Sequence, residues 1–230
     1  MKLSIIIPTL NEEKHLSSLL NSLLNWQTRF QKEIIIVDGG SSDDTALIAN
    51  SFPIYFFKSQ KGRAKQLNFG ATKAKGTYLL FIHADSVLSK QALLSLSAFL
   101  DAGHDFGNFY LQFDLDHWFL KFNAWFSRLT YTAFQFGDQA LVVKHELFER
   151  LGGYPEDYLL FEDQAIIRNL KKEASLVKIN APITTSARKY QNVGVYKLQF
   201  GYFFLFFLYR LGYSQKILFS YYNRLIAKPD

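Results

Sequence analysis

Tyr78-Leu79-Leu80-Phe81-Ile82-His83-Ala84-Asp85-Ser86 is the stretch whose reading decides the fold. Five apolar residues, Tyr78 to Ile82, run without interruption and an acid follows. A continuous apolar run of this length reads as a strand buried on both faces, the kind found in parallel sheets. In open α/β sheets ligands lie beyond the carboxyl ends of the strands, so Asp85 falls where a substrate or metal would sit. Taken alone, Asp85 reads better as a cap for the helix expected to begin near Lys90. A second strand of the same design shifts that balance: Ile34-Ile35-Ile36-Val37 also ends at an acid, Asp38.

Working outward, Leu3–Pro8 reads as the first strand. Asn11 is the expected N-cap of a helix whose Leu16, Leu19, Leu20, Leu23 and Leu24 repeat at helical spacing. After Asp38, Gly39 and Gly40 allow a tight turn, and the Ser/Asp cluster 41–44 caps a helix over Thr45–Ser51. Ile54–Phe57 is the third strand. Lys61-Gly62-Arg63 enters a helix that carries Gln66 and Asn68 and reaches Lys73. Strand and helix alternate three times before the Tyr78 strand, which implies parallel pairing and right-handed crossovers. Beyond it the pattern predicts a helix over Gln91–Leu100 and a strand over Asp105–Phe113, possible in antiparallel pairing. An aromatic helical stretch Trp118–Tyr131, a short strand Ala140–Val143, and helices Glu146–Leu151 and Ala165–Lys171 follow. No repeat, low-complexity segment or linker breaks the chain before about residue 190.

Length and composition narrow the class. The 230 residues suit one domain with a sizeable core. Cysteine is absent, which excludes disulfides and thiolate metal sites. The start of the chain reads as a first strand rather than a secretory signal, so a cytoplasmic protein is expected. The net charge of +6 is unevenly spread: after Glu173 come eight bases and one acid, Asp230. Such asymmetry suits an anionic partner, nucleic acid or membrane surface.

Several segments together resemble family 2 glycosyltransferases of the GT-A fold, in particular a bacterial subgroup of small single-domain members. They are Ile5 to Glu12, Ile36 to Thr45, Lys61-Gly62-Arg63-Ala64, Gln66-Leu67-Asn68, Gly70-Ala71 and His83-Ala84-Asp85. Gly137-Asp138-Gln139, Gly152-Gly153-Tyr154-Pro155, Glu162-Asp163 and Ser186-Ala187-Arg188 continue the order. The resemblance covers about 190 residues. It implies an α/β, Rossmann-like, mainly parallel sheet with helices on both faces, over residues 1–190. An aromatic, basic helical tail over 191–230 would pack on the domain or on a membrane.

The implied activity is inverting transfer of a sugar from a nucleotide-diphosphate sugar to an acceptor hydroxyl. Pro8, Thr9, Glu12 and Asp38 match the family's nucleoside-binding positions, although Asp38 also suits a turn cap. Arg63, Asn68 and Ala84 complete the expected nucleotide-sugar site with Asp85, and the planar fork of Arg63 suits a phosphate or base carbonyl. Asp85 matches the second acid of the family's Asp-x-Asp metal motif, which implies Mn²⁺ or Mg²⁺ on the diphosphate. His83 replaces the first acid, weakening that motif; it either coordinates or shapes the pocket. Asp163 matches the catalytic base, with Glu162 as the alternative, while acids in a first helical turn are also ordinary dipole complements. Asp138 and Gln139 match a segment lining the sugar and acceptor pocket, and Arg188 is placed to offset diphosphate charge. A non-catalytic nucleotide-sugar-binding or membrane-associated module of the same fold is the alternative. A dinucleotide site is disfavoured, because Pro8-Thr9-Leu10-Asn11-Glu12 carries no glycine.

In the tail, Leu198–Tyr209 is a run of twelve uncharged residues between Lys197 and Arg210. A spanning helix needs about 20 apolar residues, so the run does not cross a bilayer. It suits a helix lying in the interface of an anionic membrane, with an acceptor that could be lipid-linked and no nucleic acid partner. That places the protein peripherally on the inner face of the membrane. A helical hairpin packed on the domain or on a second subunit is the other reading.

Overall fold

A computed structural model describes residues 2–226; the end of the expected tail, including Lys228 and Asp230, lies outside the described residues. The strands are β1 (Lys2–Thr9), β2 (Gln31–Asp38), β3 (Tyr55–Lys58), β4 (Tyr78–Phe81), β5 (Val87–Leu88), β6 (Phe106–Phe113), β7 (Leu141–Lys144) and β8 (Val177–Thr185). Among the described residues they form one sheet in the order β3-β2-β1-β4-β7-β6-β8-β5. β3, β2, β1 and β4 are parallel, as the alternation predicts. β7 runs antiparallel to both β4 and β6.

Alternation of side chains along these strands builds two cores. Leu3, Ile5, Ile7, Ile34, Ile36 and Leu80 face one side. There they meet the leucines of α1 (Leu16–Leu24), Ala49 of α2 (Thr45–Asn50) and the apolar face of α4 (Lys90–Asp101). Ile6, Ile35, Val37, Leu79 and Phe81 face the other. They pack on α3 (Arg63–Lys73), α6 (His145–Arg150) and α7 (Glu162–Glu173). A strand covered on both faces must be apolar at every position, which is why β4 reads as an unbroken run. Both cores stop at the carboxyl ends of β1, β2 and β4, where the side chains turn polar.

Four local expectations change. Asn11 does not cap α1; the cap position is His15, and Asn11 instead adopts a positive φ of 56°. Its side-chain oxygen accepts the Ser42 N–H at 2.8 Å, locking the β1 loop to the β2 loop. Asp85 does not cap α4, because Ser89 does so by accepting the Ala92 N–H at 3.1 Å. The aromatic stretch is α5 (Trp118–Trp125) followed by a 3-10 turn rather than one helix to Tyr131. β8 and β5 are additions. β8 hides in the sequence because Lys178 and Pro182 interrupt its apolar pattern. Pro182 sits where the pairing with β6 shifts register, one of the few places a sheet tolerates proline.

The tail folds as α8 (Arg188–Val193), α9 (Val195–Arg210) and α10 (Gln215–Leu225). The boundary expected at residue 190 falls within α8. Leu198, Leu205 and Ile226 form a small core of their own, to which Phe161, Tyr190 and Tyr222 add. The α9–α10 hairpin packs on the domain: Gln215 Oε1 accepts the Leu159 and Leu160 N–H groups at 3.1 Å, and Tyr209 stacks on Phe161 at 4.9 Å.

Candidate active site at the strand ends

The rim of the sheet is built first by backbone satisfaction. Gln66 of α3, almost fully buried, donates to both Thr9 O and Val37 O at 2.8 Å, tying the ends of β1 and β2. Asp38 accepts from Thr9 Oγ1 (3.1 Å), Gly40 N (3.0 Å), Ser41 N (2.9 Å) and the Ser41 hydroxyl. At 1% exposure its carboxylate shapes the turn and does not open into the cleft. Gly40, with φ of 96°, supplies the left-handed residue this turn needs.

Above that floor lies a cluster of charge. Arg188, at the start of α8, grips Glu12 with both guanidinium nitrogens at 3.1 and 2.7 Å and lies 3.7 Å from Asp85. Glu12 is fixed by its backbone, whose N–H donates to Thr45 Oγ1 at 2.8 Å. Asp114, following β6, accepts the Ala187 N–H at 2.6 Å and so places Arg188. The tail thus returns across the open end of the sheet to acids from the ends of β1 and β4.

Arg63 joins this group to α7. It pairs with Glu162 at 3.4 Å and donates to the ring nitrogen Nε2 of His83. Burial, reinforced by Arg63 and Arg188, holds His83 well below the usual imidazole pKa, so the ring is neutral and its Nε2 lone pair is taken. Asp163 accepts the Gly137 N–H at 2.6 Å through Oδ2 and its neighbour Gln164 N–H at 2.6 Å through Oδ1. Burial and the adjacent Glu162 charge push its pKa up to about 7, against the pull of Arg63 and these two N–H donors. Asp138 is raised to about 6, chiefly by burial, and Oδ1 is buried without a partner. Gly137 lets the Arg63 guanidinium approach the backbone: a Cβ there would meet it and force Arg63 to shift.

Glu12, Arg63, His83, Asp85, Asp138, Glu162, Asp163 and Arg188 therefore form one connected cluster. Pro8 and Thr9 end β1 and Ala84 follows β4, with Thr9 and Ala84 both buried. Two expected residues point elsewhere. Asn68 exchanges hydrogen bonds with the backbone of Tyr154 (2.9 and 2.8 Å) and pins the loop after α6. Gln139 is buried and turns inward, its Oε1 accepting from Lys178 at 2.9 Å. Gln66 and Lys178 were missing from the expected site; Gln66 was legible within the Gln66-Leu67-Asn68 match, whereas nothing local marks Lys178.

The cluster holds five acids against two arginines, a surplus of negative charge that suits a cation. No group of three or more acidic or histidine side chains among the described residues could hold a metal without help. The donor set, Asp85 with the unpartnered Asp138 Oδ1 nearby, fits a hard divalent ion that draws its other ligands from phosphate oxygens and water.

A mixed sheet with a parallel β3-β2-β1-β4 half, helices on both faces and a charged cluster at its strand ends is the arrangement of a GT-A glycosyltransferase fold. Solved structures share it: the mannosyltransferase PcManGT from Pyrobaculum calidifontis, in complex with GDP-Man and Mn2+, superposes with a TM-score of 0.68 at 17% identity. That likeness covers 98% of this chain and 70% of PcManGT. S. aureus TarS 1-349 in complex with UDP-GlcNAc gives 0.63 at 20% identity over 81% of this chain and 58% of that one. The chain belongs to Glycosyl transferase family 2, which it matches over residues 4–145. Among curated relatives, the poly(ribitol-phosphate) beta-N-acetylglucosaminyltransferase TarS of Staphylococcus aureus is 33% identical over 112 residues, 45% of this chain and 20% of TarS. A PGL/p-HBAD biosynthesis glycosyltransferase of Mycobacterium bovis is 33% identical over 181 residues, 70% of this chain and 66% of the relative. The chain thus spans about a fifth of the first of these relatives and about two thirds of the second.

Proposed function

We propose that this chain transfers a sugar, with inversion, from a nucleotide-diphosphate sugar to an acceptor hydroxyl, and that Asp163 is the general base. The observation carrying this reading is the Asp163 carboxylate. It is held by Gly137 N–H beside Glu162 and Arg63, with a pKa near 7, in the same cluster as Asp85. A base works best when its pKa lies near the working pH. The acceptor oxygen bonds to the anomeric carbon, its proton passes to Asp163, and the carbon–oxygen bond to the diphosphate breaks with its electron pair. Arg188 and Arg63 flank the cluster and offset charge on the departing diphosphate, as arginine forks do for phosphate oxygens.

Asp85, with Asp138 near it, would hold Mn²⁺ or Mg²⁺, which when bound supplies charge stabilisation to the leaving group. His83 is assigned to shaping the pocket, because its Nε2 already accepts from Arg63. Asp38 acts through the turn it builds. Glu162 acts by fixing Arg63.

The acceptor side of the site adjoins the aromatic tail. Phe161, next to Glu162, and Phe136, two positions before Asp138, contact Phe206 of α9 at 5.8 and 6.0 Å between ring centres. The opposite face of α9 exposes Phe200, Phe203, Phe204 and Phe207, and α5 exposes Trp118, Phe122 and Trp125. An apolar aromatic surface flanked by Lys121, Lys197, Arg210 and Lys216 suits the interface of an anionic membrane. It supports a lipid-linked acceptor and a peripheral position at the membrane. No described helix is long and apolar enough to cross one.

The test is release of nucleoside diphosphate from a panel of donors with Mn²⁺ or Mg²⁺, in wild type and Asp163→Asn. The variant should lose roughly 10²- to 10⁴-fold in kcat while donor binding persists. Unchanged turnover in the variant would overturn the assignment of the base.

A further inference from the structure

Behind the cluster, Lys178 of β8 reaches into a cage of neutral oxygens. Its Nζ donates to Asn108 Oδ1 at 2.7 Å, Gln135 Oε1 at 2.7 Å and Gln139 Oε1 at 2.9 Å. A longer contact at 3.4 Å reaches Phe109 O, so the three donors of the ammonium are fully engaged. The three amides are buried, Asn108 at 2%, Gln135 at 0% and Gln139 at 1% exposure. No carboxylate among the described residues pairs with Lys178. A cation withdrawn from water without a counter-ion is an expensive arrangement, and here its effect is orientation.

With the oxygen ends drawn to Lys178, the amide nitrogens of Gln135 and Gln139 point outward to the backbone, while Asn108 Nδ2 turns inward and donates to Gln135 Oε1 at 3.0 Å and Gln139 Oε1 at 3.3 Å. Gln139 Nε2 donates to Phe134 O at 2.6 Å, and Gln135 Nε2 donates to Leu129 O (2.6 Å) and Tyr131 O (2.9 Å). Gln164, next to Asp163, donates through Nε2 to Gln135 O. Gln135 and Gln139 bracket Phe136-Gly137-Asp138, the segment that presents Gly137 N–H to Asp163 and Asp138 to the cleft.

We propose that Lys178 is a positioning residue: its ammonium clamps Gln135 and Gln139 and thereby fixes the 136–138 segment against Asp163. The proposal rests on the reading of Asp163 as the base. Of the residues assigned to the donor and its metal, Asp138 alone lies on the clamped segment; Asp85, Arg63 and Arg188 come from elsewhere in the fold, so the effect on donor binding is secondary. Burial also lowers the Lys178 pKa to about 7, in keeping with an ammonium that has no opposite charge beside it.

The experiment compares wild type with Lys178→Met and Asn108→Ala by steady-state kinetics and by amide hydrogen exchange. Lys178→Met should lower kcat roughly 10- to 100-fold, the scale of a misplaced reacting group, with donor KM within about twofold. Exchange across 135–139 should accelerate while that of β1, β2 and β4 stays as in wild type. Asn108→Ala, which removes one oxygen of the cage together with the amide that donates to Gln135 and Gln139, should give a change in the same direction and serves if Lys178→Met does not fold. Because the chain has no cysteine, Lys178→Cys can be aminoethylated in denaturant and refolded. The restored ammonium should recover kcat, which a purely volumetric defect would not. Folded Lys178→Met, or Asn108→Ala in its place, with wild-type kcat and wild-type exchange at 135–139 overturns the clamp. Wild-type kcat in Asp163→Asn would instead sink the base and leave the exchange result standing.

Discussion

At the scale of single residues, the same acids that mark the site also strain it. Asp163 carries a pKa near 7 because burial and Glu162 outweigh Arg63 and two N–H donors. As a base it must be ionised, so kcat should fall as pH drops through about 7, with donor binding changing less across that range. Stability has the opposite sign. The folded chain holds this proton more tightly than the unfolded chain does. The resulting stabilisation is complete below the ordinary carboxylate pKa of about 4 and is lost as pH rises through the folded value. Asp138, raised to about 6, acts in the same direction. Asp163→Asn should therefore melt higher than wild type at pH 8, by roughly 2–4 °C per kcal/mol recovered, and should show little gain at pH 4. Thermal melts at the two pH values check this. An equal Tm for variant and wild type at pH 8 would show that the site does not store this cost.

At the scale of elements, the carboxyl ends of β1 and β4 and the starts of α3, α7 and α8 bring the cluster together, while β2 ends in the Asp38 turn. The strand ends were legible because a doubly covered strand must be apolar until it leaves the core. The right-hand half of the sheet was less legible. β8 is built on Gly107 of β6, where a Cβ would strike the Val177 carbonyl and the Phe99 ring. Gly107→Ala should destabilise the fold by about 1–3 kcal/mol through overpacking. Because β8 carries Lys178, it should also speed amide exchange at 135–139. Denaturant unfolding with exchange on the same sample tests both. Phe161 is the other feature of this scale. It occupies the left-handed region at φ 64°, an uncommon conformation for a bulky residue, at the entry to α7. Its stack on Tyr209 makes α9 part of the support of the α7 entry that carries Glu162 and Asp163.

At the scale of the whole molecule, charge and aromatic surface are segregated. The segment after Glu173 carries the chain's net excess of positive charge, and it includes the α9–α10 hairpin, whose inner face packs on Phe161 and whose outer face is aromatic. Both readings of the tail therefore describe one part of it: the hairpin packs on the domain, and its remaining face is the surface proposed to meet lipid. Phe203→Glu with Phe207→Glu should abolish flotation with vesicles containing anionic lipid while leaving turnover of a water-soluble acceptor within about twofold. Raising salt should weaken the wild-type association, because the Debye length falls from about 10 Å at 0.1 M to about 3 Å at 1 M. Flotation that survives both changes would remove the membrane from the account.

The sequence by itself determined the parallel half of the sheet, its layering and the strand ends at which ligands gather. Those features follow from apolar periodicity and from glycines and caps, which are local. It also determined, through ordered motifs, the family to which the chain belongs. Only the tertiary structure decided that Asp38 closes its own turn and that Asn68 and Gln139 face away from the cleft. It likewise decided that Arg188 bridges Glu12 and Asp85 from 176 and 103 positions along the chain. Lys178 looks like one more base in a basic tail until β8 is seen beside β6. Side-chain direction and counter-charge are set by long-range pairing, and a one-residue change of register turns a strand's side chains to the other face.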